Sequence, residues 1–285
     1  MSQIAYVNGV YLPLRRASVS VSDRGFQFAD SIYEVWAVRG GSVCDEAEHM
    51  ARLRRSLGEL RIKAPMADSA LRAIIGETMR RNRVHDGIVY MQISRGVAAR
   101  DHFFPSPSVK ATLVVTAKNL DARTIAARAA VGVKVVSAPE TRWARRDIKS
   151  TNLLANVLAR QQAREAGAFE AWFVDQEGYV TEGTSSNAWI VDANGVLRTR
   201  ALSHDLLHGV TRAALLQIVR RLGRAVEERS FTIEDALGAR EAFISAASNP
   251  AMPVIALDGR PIGDGRPGPV SCTLRDAYLG MKSSQ

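Results

Sequence analysis

The sequence predicts a mixed α+β and α/β chain built from two domains. At 285 residues the chain is long enough for two cores, and its content of 46% hydrophobic and 24% charged residues is that of an ordinary globular protein. Residues 1–118 alternate strand patterns with two amphipathic helical patterns, and the β pattern stops where polar residues collect near 118–121. We therefore predict a small N-terminal α+β domain over 1–118, an interdomain linker over 119–122 and a larger C-terminal domain over 123–285.

The first half of the chain predicts a hairpin, further strands and two helices. Asn8-Gly9 favours a type I′ turn, so residues 5–12 are expected to form a hairpin. Met50, Leu53 and Leu57 fall on one side of a helix, which predicts a helix over 45–60. The other expected elements are a loop over 23–30, strands over 31–38, 87–93 and 111–117, a helix over 68–82 and a loop over 94–105.

The second half is expected to begin with a strand over 131–137 and a helix that Lys149 enters and that reaches about residue 166. Apolar side chains recur at helical spacing after this lysine, at Leu153, Leu154, Val157 and Leu158. Turns at Glu177-Gly178 and Asn194-Gly195 separate short strands. The remaining expected elements are strands over 168–174, 179–181, 187–191, 241–246 and 253–257, and helices over 209–222 and from about 268.

Composition limits the class of protein. The net charge of +9 is compatible with nucleic-acid binding. Most of this charge is arginine in pairs along helices, with acids in between and no recognition module, so a solvated surface or an anionic small-molecule partner is the better interpretation. The absence of a long apolar run and of signal-peptide features predicts a cytoplasmic protein with no membrane partner. Cys44 and Cys272 lack the paired spacing of a metal site or a disulfide framework.

Lys149 is the candidate nucleophile. Only six of the 38 basic residues are lysines, and the other five lie in connections, along strands or in the tail. A lysine amine among apolar neighbours can form a Schiff base with a carbonyl compound. An ordinary lysine on a helix surface is the alternative interpretation.

Pyridoxal 5′-phosphate (PLP) is the most versatile carbonyl compound for such a lysine. It requires a phosphate site and an acid that keeps its ring nitrogen protonated. The segment His208-Gly-Val-Thr-Arg212 opens a helix, so the N–H groups of Val210 and Thr211 could bind a phosphate, and Arg52 could add a bidentate contact. Taken singly, these features also fit a common helix start and a surface arginine.

The segment Thr181-Glu-Gly-Thr-Ser-Ser-Asn187 supplies the acid. Glu182 lies where a strand turns, beside several hydroxyl side chains. A carboxylate in this setting suits the ring nitrogen, and Ser185 and Ser186 could donate to ring or phosphate oxygens. A plain polar turn would have a similar composition.

Together these motifs resemble the class IV aminotransferases, the fold-type IV PLP enzymes. The likeness rests first on Asp147-Ile-Lys-Ser-Thr-Asn-Leu-Leu, Thr181-Glu-Gly-Thr-Ser-Ser-Asn and Gly209-Val-Thr-Arg, in this order. It continues through Asp23-Arg-Gly-Phe-Gln-Phe-Ala-Asp, Glu48-His-Met-Ala-Arg-Leu and Asp264-Gly-Arg-Pro-Gly-Pro-Val, and so covers nearly the whole chain. The resemblance implies a small α+β domain and a larger domain with a barrel-like sheet.

Within this family the sequence is similar to the D-amino-acid aminotransferases. The resemblance implies that Tyr33, Arg100 and His102 bind the substrate carboxylate, and that the loop with Arg100 and His102 reaches the partner's site in a homodimer. It also implies that Lys149 forms the Schiff base, that Glu182 binds the ring nitrogen and that Leu207 packs on the ring. Arg52, Val210 and Thr211 would then hold the phosphate.

One segment departs from the family pattern. Family members usually have hydroxyl residues before Pro253, whereas this chain has Ser245-Ala246-Ala247-Ser248. Only backbone N–H contacts, such as that of Ala247, are then expected from this loop, together with a lower affinity for PLP.

The expected function is therefore the transfer of amino groups between D-amino acids and 2-oxo acids such as 2-oxoglutarate or pyruvate. Three related activities stay open: an (R)-amine transaminase, a branched-chain L-amino-acid aminotransferase and an aminodeoxychorismate lyase. A basic nucleic-acid-binding protein is the alternative from another class.

Overall fold

The computed structural model describes residues 3–105 and 109–283, which form two compact units. The first unit comprises Met1–Asp121 and Ile148–Asn152, and the second comprises Ala122–Asp147 and Leu153–Gln285. The short segment around Lys149 thus clusters with the first unit, whereas the sequence analysis assigned all of 123–285 to the second domain. In the part of the chain described, no helix is long and apolar enough to span a membrane.

The first unit is built on a six-stranded sheet whose neighbouring strands are all antiparallel, in the order β2-β1-β6-β5-β3-β4. Its core lies where one face of this sheet packs on two helices, because Leu53 and Leu57 of one helix and Leu71 of the other are buried. The strands are β1 (Ile4–Val7), β2 (Val10–Pro13), β3 (Ser31–Arg39), β4 (Ser42–Val43), β5 (Gly87–Ser94) and β6 (Thr112–Asn119), and the helices are α1 (Arg24–Phe28), α2 (Glu46–Glu59) and α3 (Asp68–Asn82).

The segment 23–30 is not the loop that its composition predicts. It contains helix α1, which starts where the carboxylate of Asp23 accepts the N–H of Gly25 at 2.8 Å. A Cβ at Gly25 would lie 2.8 Å from the Cβ of Ser94, so glycine is required for this close packing. The helix was missed because five residues are too few for a helical period to appear in the sequence.

The second unit is built on a larger mixed sheet in the order β12-β11-β10-β13-β14-β7-β8-β9, with β15 beside β14. Its strands are β7 (Val133–Pro139), β8 (Glu170–Val174), β9 (Val180–Gly183), β10 (Asn187–Val191), β11 (Leu197–Thr199), β12 (Val226–Glu228), β13 (Glu241–Ala246), β14 (Asn249–Leu257) and β15 (Arg260–Pro261). The helices are α4 (Ala122–Val131), α5 (Leu154–Glu165), α6 (Val210–Arg221), α7 (Ile233–Leu237) and α8 (Pro269–Ser283).

Apolar clusters hold this unit together on both sides of the sheet strands β10 and β13. One cluster contains Ile190, Ile244 and Trp172, and the other contains Trp189 and Phe243 with side chains of α6 and α8. The rings of Trp189 and Phe243 stack with their centres 5.3 Å apart. These strands therefore read as continuous apolar runs, because both of their faces are buried.

Helix α5 differs from the expected helix in its start and in its buried side. Lys149 lies in an extended segment, and the helix begins only at Leu154. Backbone bonds to β3 hold the segment extended, because Tyr33 N–H donates to Lys149 O and Thr151 N–H to Ser31 O, both at 3.0 Å. The expected apolar stripe is exposed, at 69% for Leu154, and the small residues Ala159 and Ala163 pack inward instead.

Candidate active site

Lys149 is held at the edge of strand β3 in the first unit. Its backbone N–H donates to the hydroxyl of Ser56 on α2 at 3.3 Å, and its carbonyl accepts from Tyr33. Its Nζ atom lies 4.2 Å from the centre of the Tyr33 ring. Two predicted site residues, Lys149 and Tyr33, are therefore in direct contact, and the aromatic face limits where the amine can point.

Tyr33 belongs to a polar and aromatic group on the face of the sheet opposite α2 and α3. Its ring stacks on Tyr90 of β5 at 5.7 Å, and the Tyr90 hydroxyl donates to Gln92 at 2.7 Å. Burial raises the pKa of Tyr90 to about 12, so this hydroxyl stays protonated near neutral pH. Neither Tyr90 nor Gln92 stood out in the sequence, where they are ordinary members of a strand pattern.

Arg52 makes a two-pronged ion pair with Glu34, a buried residue that the sequence analysis missed. The Arg52 Nε and Nη2 atoms lie 3.0 and 2.6 Å from the two carboxylate oxygens, and His49 Nδ1 lies 2.9 Å from one of them. Burial raises the pKa of Glu34, but Arg52 and His49 outweigh this and leave the pKa well below its usual value. The sequence signal for this residue was a single acid within an apolar strand pattern, between Ile32 and Trp36.

Glu182 lies at the end of β9 in the second unit and is buried. One of its carboxylate oxygens accepts from Arg142 Nη1 at 2.6 Å, and the other accepts from Asn187 Nδ2 at 3.1 Å. The Leu207 N–H lies 3.1 Å from both oxygens. Burial raises the pKa of Glu182, while Arg142 and the Leu207 N–H oppose that rise.

Arg142 and Glu140 complete this network, and neither was singled out as a site residue. Arg142 Nη2 lies 2.6 Å from Glu140, which also accepts from the Thr181 hydroxyl at 2.8 Å. The guanidinium packs 4.3 Å from the centre of the Phe173 ring. Arg142 lies seven residues before Lys149 and just ahead of the motif that starts at Asp147, and this nearness was the signal that the sequence offered.

The hydroxyls of Ser185 and Ser186 have a partner other than a cofactor. They donate to the fully buried Glu170 at 3.0 and 3.1 Å, and Thr184 donates to the same carboxylate. Arg160 balances that charge at 2.8 Å. A contact between these two serines and the cofactor therefore stays a prediction, whereas their described role is to fix the turn after Glu182.

Helix α6 begins at Val210 with Gly209 as its N-cap and no side-chain cap. The first amides of a helix, here those of Val210 and Thr211, have no acceptor inside it and attract anions. A Cβ at Gly209 would lie 2.0 Å from Asn187 Oδ1, so only glycine allows this close approach. The structure thus leaves two predicted phosphate ligands, Val210 and Thr211, at a suitable helix end.

Leu207 and Ala247 lie in connections of the second unit. The Leu207 carbonyl accepts from Asn187 at 3.1 Å, so both backbone polar groups of Leu207 are used near Glu182. Ala247 lies half-buried in the turn between β13 and β14. The nearby Ser245 hydroxyl is occupied by Trp189, whose Nε1 donates to it at 2.9 Å.

Arg100 and His102 are exposed in the loop between β5 and β6, and both lie on Phe28. The Arg100 guanidinium carbon is 5.1 Å from the Phe28 ring centre, and the His102 and Phe28 rings are 5.6 Å apart. The structure brings these two predicted carboxylate ligands together. Their described contacts are with Phe28 and not with Tyr33, the third predicted ligand.

The described residues fit a PLP cofactor. The described residues include an amine, that of Lys149, a buried carboxylate, that of Glu182, and a helix start without a side-chain cap, that of α6. An amine, a carboxylate and an anion site are the three groups that PLP requires. Within residues 3–105 and 109–283, no group of three His, Cys, Asp or Glu side chains could hold a metal ion.

Comparisons with known proteins agree with this donor set. The profile of the amino-transferase class IV family matches residues 31–257. A D-alanine aminotransferase of Bacillus licheniformis is 36% identical over 270 residues, which cover 95% of this chain and 94% of that protein. A D-alanine aminotransferase of Staphylococcus haemolyticus is 34% identical over 283 residues, or 98% of this chain and 99% of that protein.

Solved structures give the same family. The branched-chain amino acid aminotransferase of Escherichia coli has a TM-score of 0.90 at 25% identity, covering 98% of this chain and 94% of that chain. A second branched-chain enzyme, from T.th. and solved with pyridoxamine 5′-phosphate, has a TM-score of 0.88 at 28% identity, covering 98% and 93%. The predicted fold class is thereby confirmed, a mixed α+β fold-type IV enzyme with a curled, barrel-like sheet, and so is PLP as the cofactor. The chain therefore belongs to the class IV aminotransferases, PLP-dependent enzymes that act on amino acids and 2-oxo acids.

Proposed function

We propose that this enzyme transfers the amino group of a D-amino acid to a 2-oxo acid, with Lys149 as its catalytic residue. The likeness to D-alanine aminotransferases along almost the whole chain carries the choice of substrate. The contact of the Lys149 amine with the Tyr33 ring supports the choice of catalytic residue, because it fixes the amine beside a predicted substrate ligand.

In the proposed site, the cofactor, Lys149 and Glu182 have different chemical roles. PLP, when bound, supplies a protonated ring that accepts electrons from the substrate Cα. With the cofactor bound, Lys149 Nζ would hold its aldehyde carbon until the substrate amine displaces it. The freed amine of Lys149 would then take the proton from the substrate Cα as a base and return it as an acid. Glu182 keeps the proton on the ring nitrogen.

The remaining contacts orient the two ligands. The amides of Val210 and Thr211 and the guanidinium of Arg52 would bind the phosphate, while Leu207 and Ala247 would border the cofactor. Glu34 holds the planar guanidinium of Arg52 by two bonds, and this fixes the direction of its other N–H groups.

Tyr33, Arg100 and His102 bind the substrate carboxylate in this proposal, and Arg100 and His102 act in the site of the partner subunit of a homodimer. Their loop is exposed and carries Phe103 and Phe104, which are 81% and 51% exposed. Neighbouring exposed aromatic side chains are typical of a surface that another protein covers. The cytoplasmic location predicted from the sequence stays a prediction.

A visible spectrum of the purified holoenzyme tests this function. D-Alanine should convert the yellow cofactor band into that of the aminated cofactor within the mixing time, and 2-oxoglutarate or pyruvate should restore it. L-Alanine should change the spectrum far more slowly. Faster conversion by L-leucine than by D-alanine would favour the branched-chain alternative, which the similar solved structures suggest. Conversion by (R)-1-phenylethylamine alone would favour an amine transaminase.

A further inference from the structure

Helix α1 belongs to the motif Asp23–Asp30, to which no role has been assigned so far. Its first residue, Arg24, is 4% exposed although it carries a charge. Arg24 Nε donates to Asp30 at 2.8 Å, and Nη1 donates to the carbonyl oxygen of Asp101 at 2.6 Å. Asp101 is the residue between Arg100 and His102, so one buried guanidinium ties the middle of that loop to α1.

The last residue of α1, Phe28, contacts the side chains on either side of Asp101. Its ring centre lies 5.1 Å from the Arg100 guanidinium carbon and 5.6 Å from the His102 ring centre. The Arg24 guanidinium carbon lies 4.8 Å from the same ring centre. A benzene ring attracts cations to its face, so Phe28 supplies a surface on which otherwise exposed side chains come to rest.

The base of this arrangement is rigid. Asp30 accepts from Arg24 and also from Arg95 Nε and Nη2, at 2.7 and 2.9 Å. Arg95 donates further to the carbonyls of Leu60 and Arg61 after helix α2. Burial raises the pKa of Asp30, but the bonds from Arg95 and Arg24 outweigh this and lower it, so the carboxylate stays ionised. The anchor of Arg24 therefore does not vary near neutral pH.

A role in stability alone would explain Asp30 and Arg95 but not the arrangement around Phe28. Arg100 and His102 are both exposed, and they gain little stability from resting on a half-buried ring. The ring does give the side chains of Arg100 and His102 a defined direction. Without it, these exposed side chains would sample many rotamers.

We propose that Phe28, held by Arg24, is a positioning residue that sets Arg100 and His102 for the substrate carboxylate and thereby favours amino acids over simple amines. This inference rests on the proposed carboxylate role of Arg100 and His102.

The test compares Phe28→Leu and Phe28→Tyr in the holoenzyme. Leucine keeps an apolar side chain but removes the ring, so we expect KM for D-alanine to rise about 3- to 10-fold with little change in kcat. The reaction of (R)-1-phenylethylamine, which has no carboxylate, should be unaffected. Phe28→Tyr keeps the ring and should restore KM. Phe26→Leu is the matched control, because Phe26 lies on the same helix and is 72% exposed.

A double-mutant comparison with Arg100→Ala separates the possible failures. If Phe28 acts through Arg100, Phe28→Leu should add little further loss of kcat/KM in the Arg100→Ala background. Full additivity would overturn the inference, as would a normal KM in Phe28→Leu while Arg100→Ala is impaired, and both results would leave the proposed function in place. A normal kcat/KM for D-alanine in Arg100→Ala would instead remove the proposed carboxylate site, and the inference with it.

Discussion

The amine of Lys149 owes its position to backbone contacts with β3 and not to a helix. The Tyr33 N–H of β3 donates to the Lys149 carbonyl, and the Thr151 N–H donates to the Ser31 carbonyl of β3. The backbone is therefore held to β3 both at Lys149 and two residues after it. Such fixation suits the role proposed for Lys149, in which one amine serves two carbon atoms in turn without losing its alignment.

Lys149→Ala should abolish transamination almost completely, because both the covalent anchor and the proton carrier are lost. Borohydride treatment of the wild-type holoenzyme should attach the cofactor to the peptide that contains Lys149, as mass spectrometry would detect. Lys134→Ala, a change on an exposed position of β7, serves as the control. Near-normal turnover of Lys149→Ala without added amines would refute the assignment.

Arg142→Gln should make activity more sensitive to acid. Burial already raises the pKa of Glu182, and Arg142 opposes that rise, so its removal should raise the pKa further. As the pH falls, the Glu182 carboxylate, the proposed partner of the ring nitrogen, is then protonated at a higher pH than in the wild type. The acid limb of the kcat profile should therefore move to higher pH.

The control for this shift is Arg145→Gln, because Arg145 pairs with a different carboxylate, that of Asp147, at 3.0 Å. An infrared band of a protonated carboxyl in the apoprotein, present in Arg142→Gln and lost when Glu182 is also changed to Gln, would identify the group. Superimposable pH profiles of wild type and Arg142→Gln would contradict the expectation.

At the scale of elements, Glu34 joins β3 to α2 through Arg52 and His49. Glu34→Gln leaves a buried guanidinium without its carboxylate and should destabilise the protein by about 3 to 5 kcal/mol at pH 7. Since the folded-state pKa of Glu34 is lowered, its contribution is present above the ordinary value of 4.5 and is lost as the pH falls below it.

Urea unfolding at pH 7 and pH 3 measures this contribution. The difference in unfolding free energy between wild type and Glu34→Gln should be smaller at pH 3. Glu77→Gln, in an exposed ion pair with Arg80, should change little at either pH. A difference independent of pH would mean that the variant acts through packing alone.

The start of helix α6 depends on Gly209, which has no side chain. In Gly209→Ala the new Cβ would collide with Asn187 Oδ1, so either the helix start or Asn187 must move. Overpacking of this kind should weaken PLP binding by about 5- to 100-fold, measured by titrating the apoprotein. Gly76→Ala, where the Cβ meets open space on α3, is the control. Unchanged PLP affinity would place the phosphate elsewhere.

At the scale of the whole molecule, the proposed homodimer predicts complementation between an inactive and an impaired variant. Lys149→Ala lacks the amine, and Arg100→Ala lacks a carboxylate ligand that should act in the partner's site. Co-expressed as mixed dimers, the two variants rebuild one complete site, so activity toward D-alanine should rise above that of either parent. No gain in chromatographically verified mixed dimers would show that Arg100 serves its own subunit.

The positive charge of the molecule has two sources with different meanings. Arginines such as Arg54, Arg80 and Arg220 are mostly exposed, at 58%, 72% and 62% of their side chains. Others, including Arg24 and Arg142, are buried against carboxylates. The net charge is therefore weak support for nucleic-acid binding, because it counts exposed arginines and arginines in buried ion pairs alike.

The sequence by itself was sufficient for the family and for most of the long elements. Helix α3 and strands β10 and β13 coincide with their predicted bounds, because periodic patterns and local turns are properties of neighbouring residues. Lys149, Glu182 and the start of α6 could be proposed as site groups because each lies in a short motif whose chemistry can be recognised from neighbouring residues alone, and these assignments stay predictions.

Only the tertiary structure decided how these groups are held. Lys149 lies in an extended segment and not in a helix, and the apolar side chains of α5 are exposed. The hydroxyls of Ser185 and Ser186 donate to Glu170. The tertiary structure also supplied Glu34, Arg142 and Phe28, whose partners lie 18, 40 and more than 70 residues away in the chain. Contacts over such separations depend on which strands pair and which side chains are buried together, and no local pattern of residues encodes either.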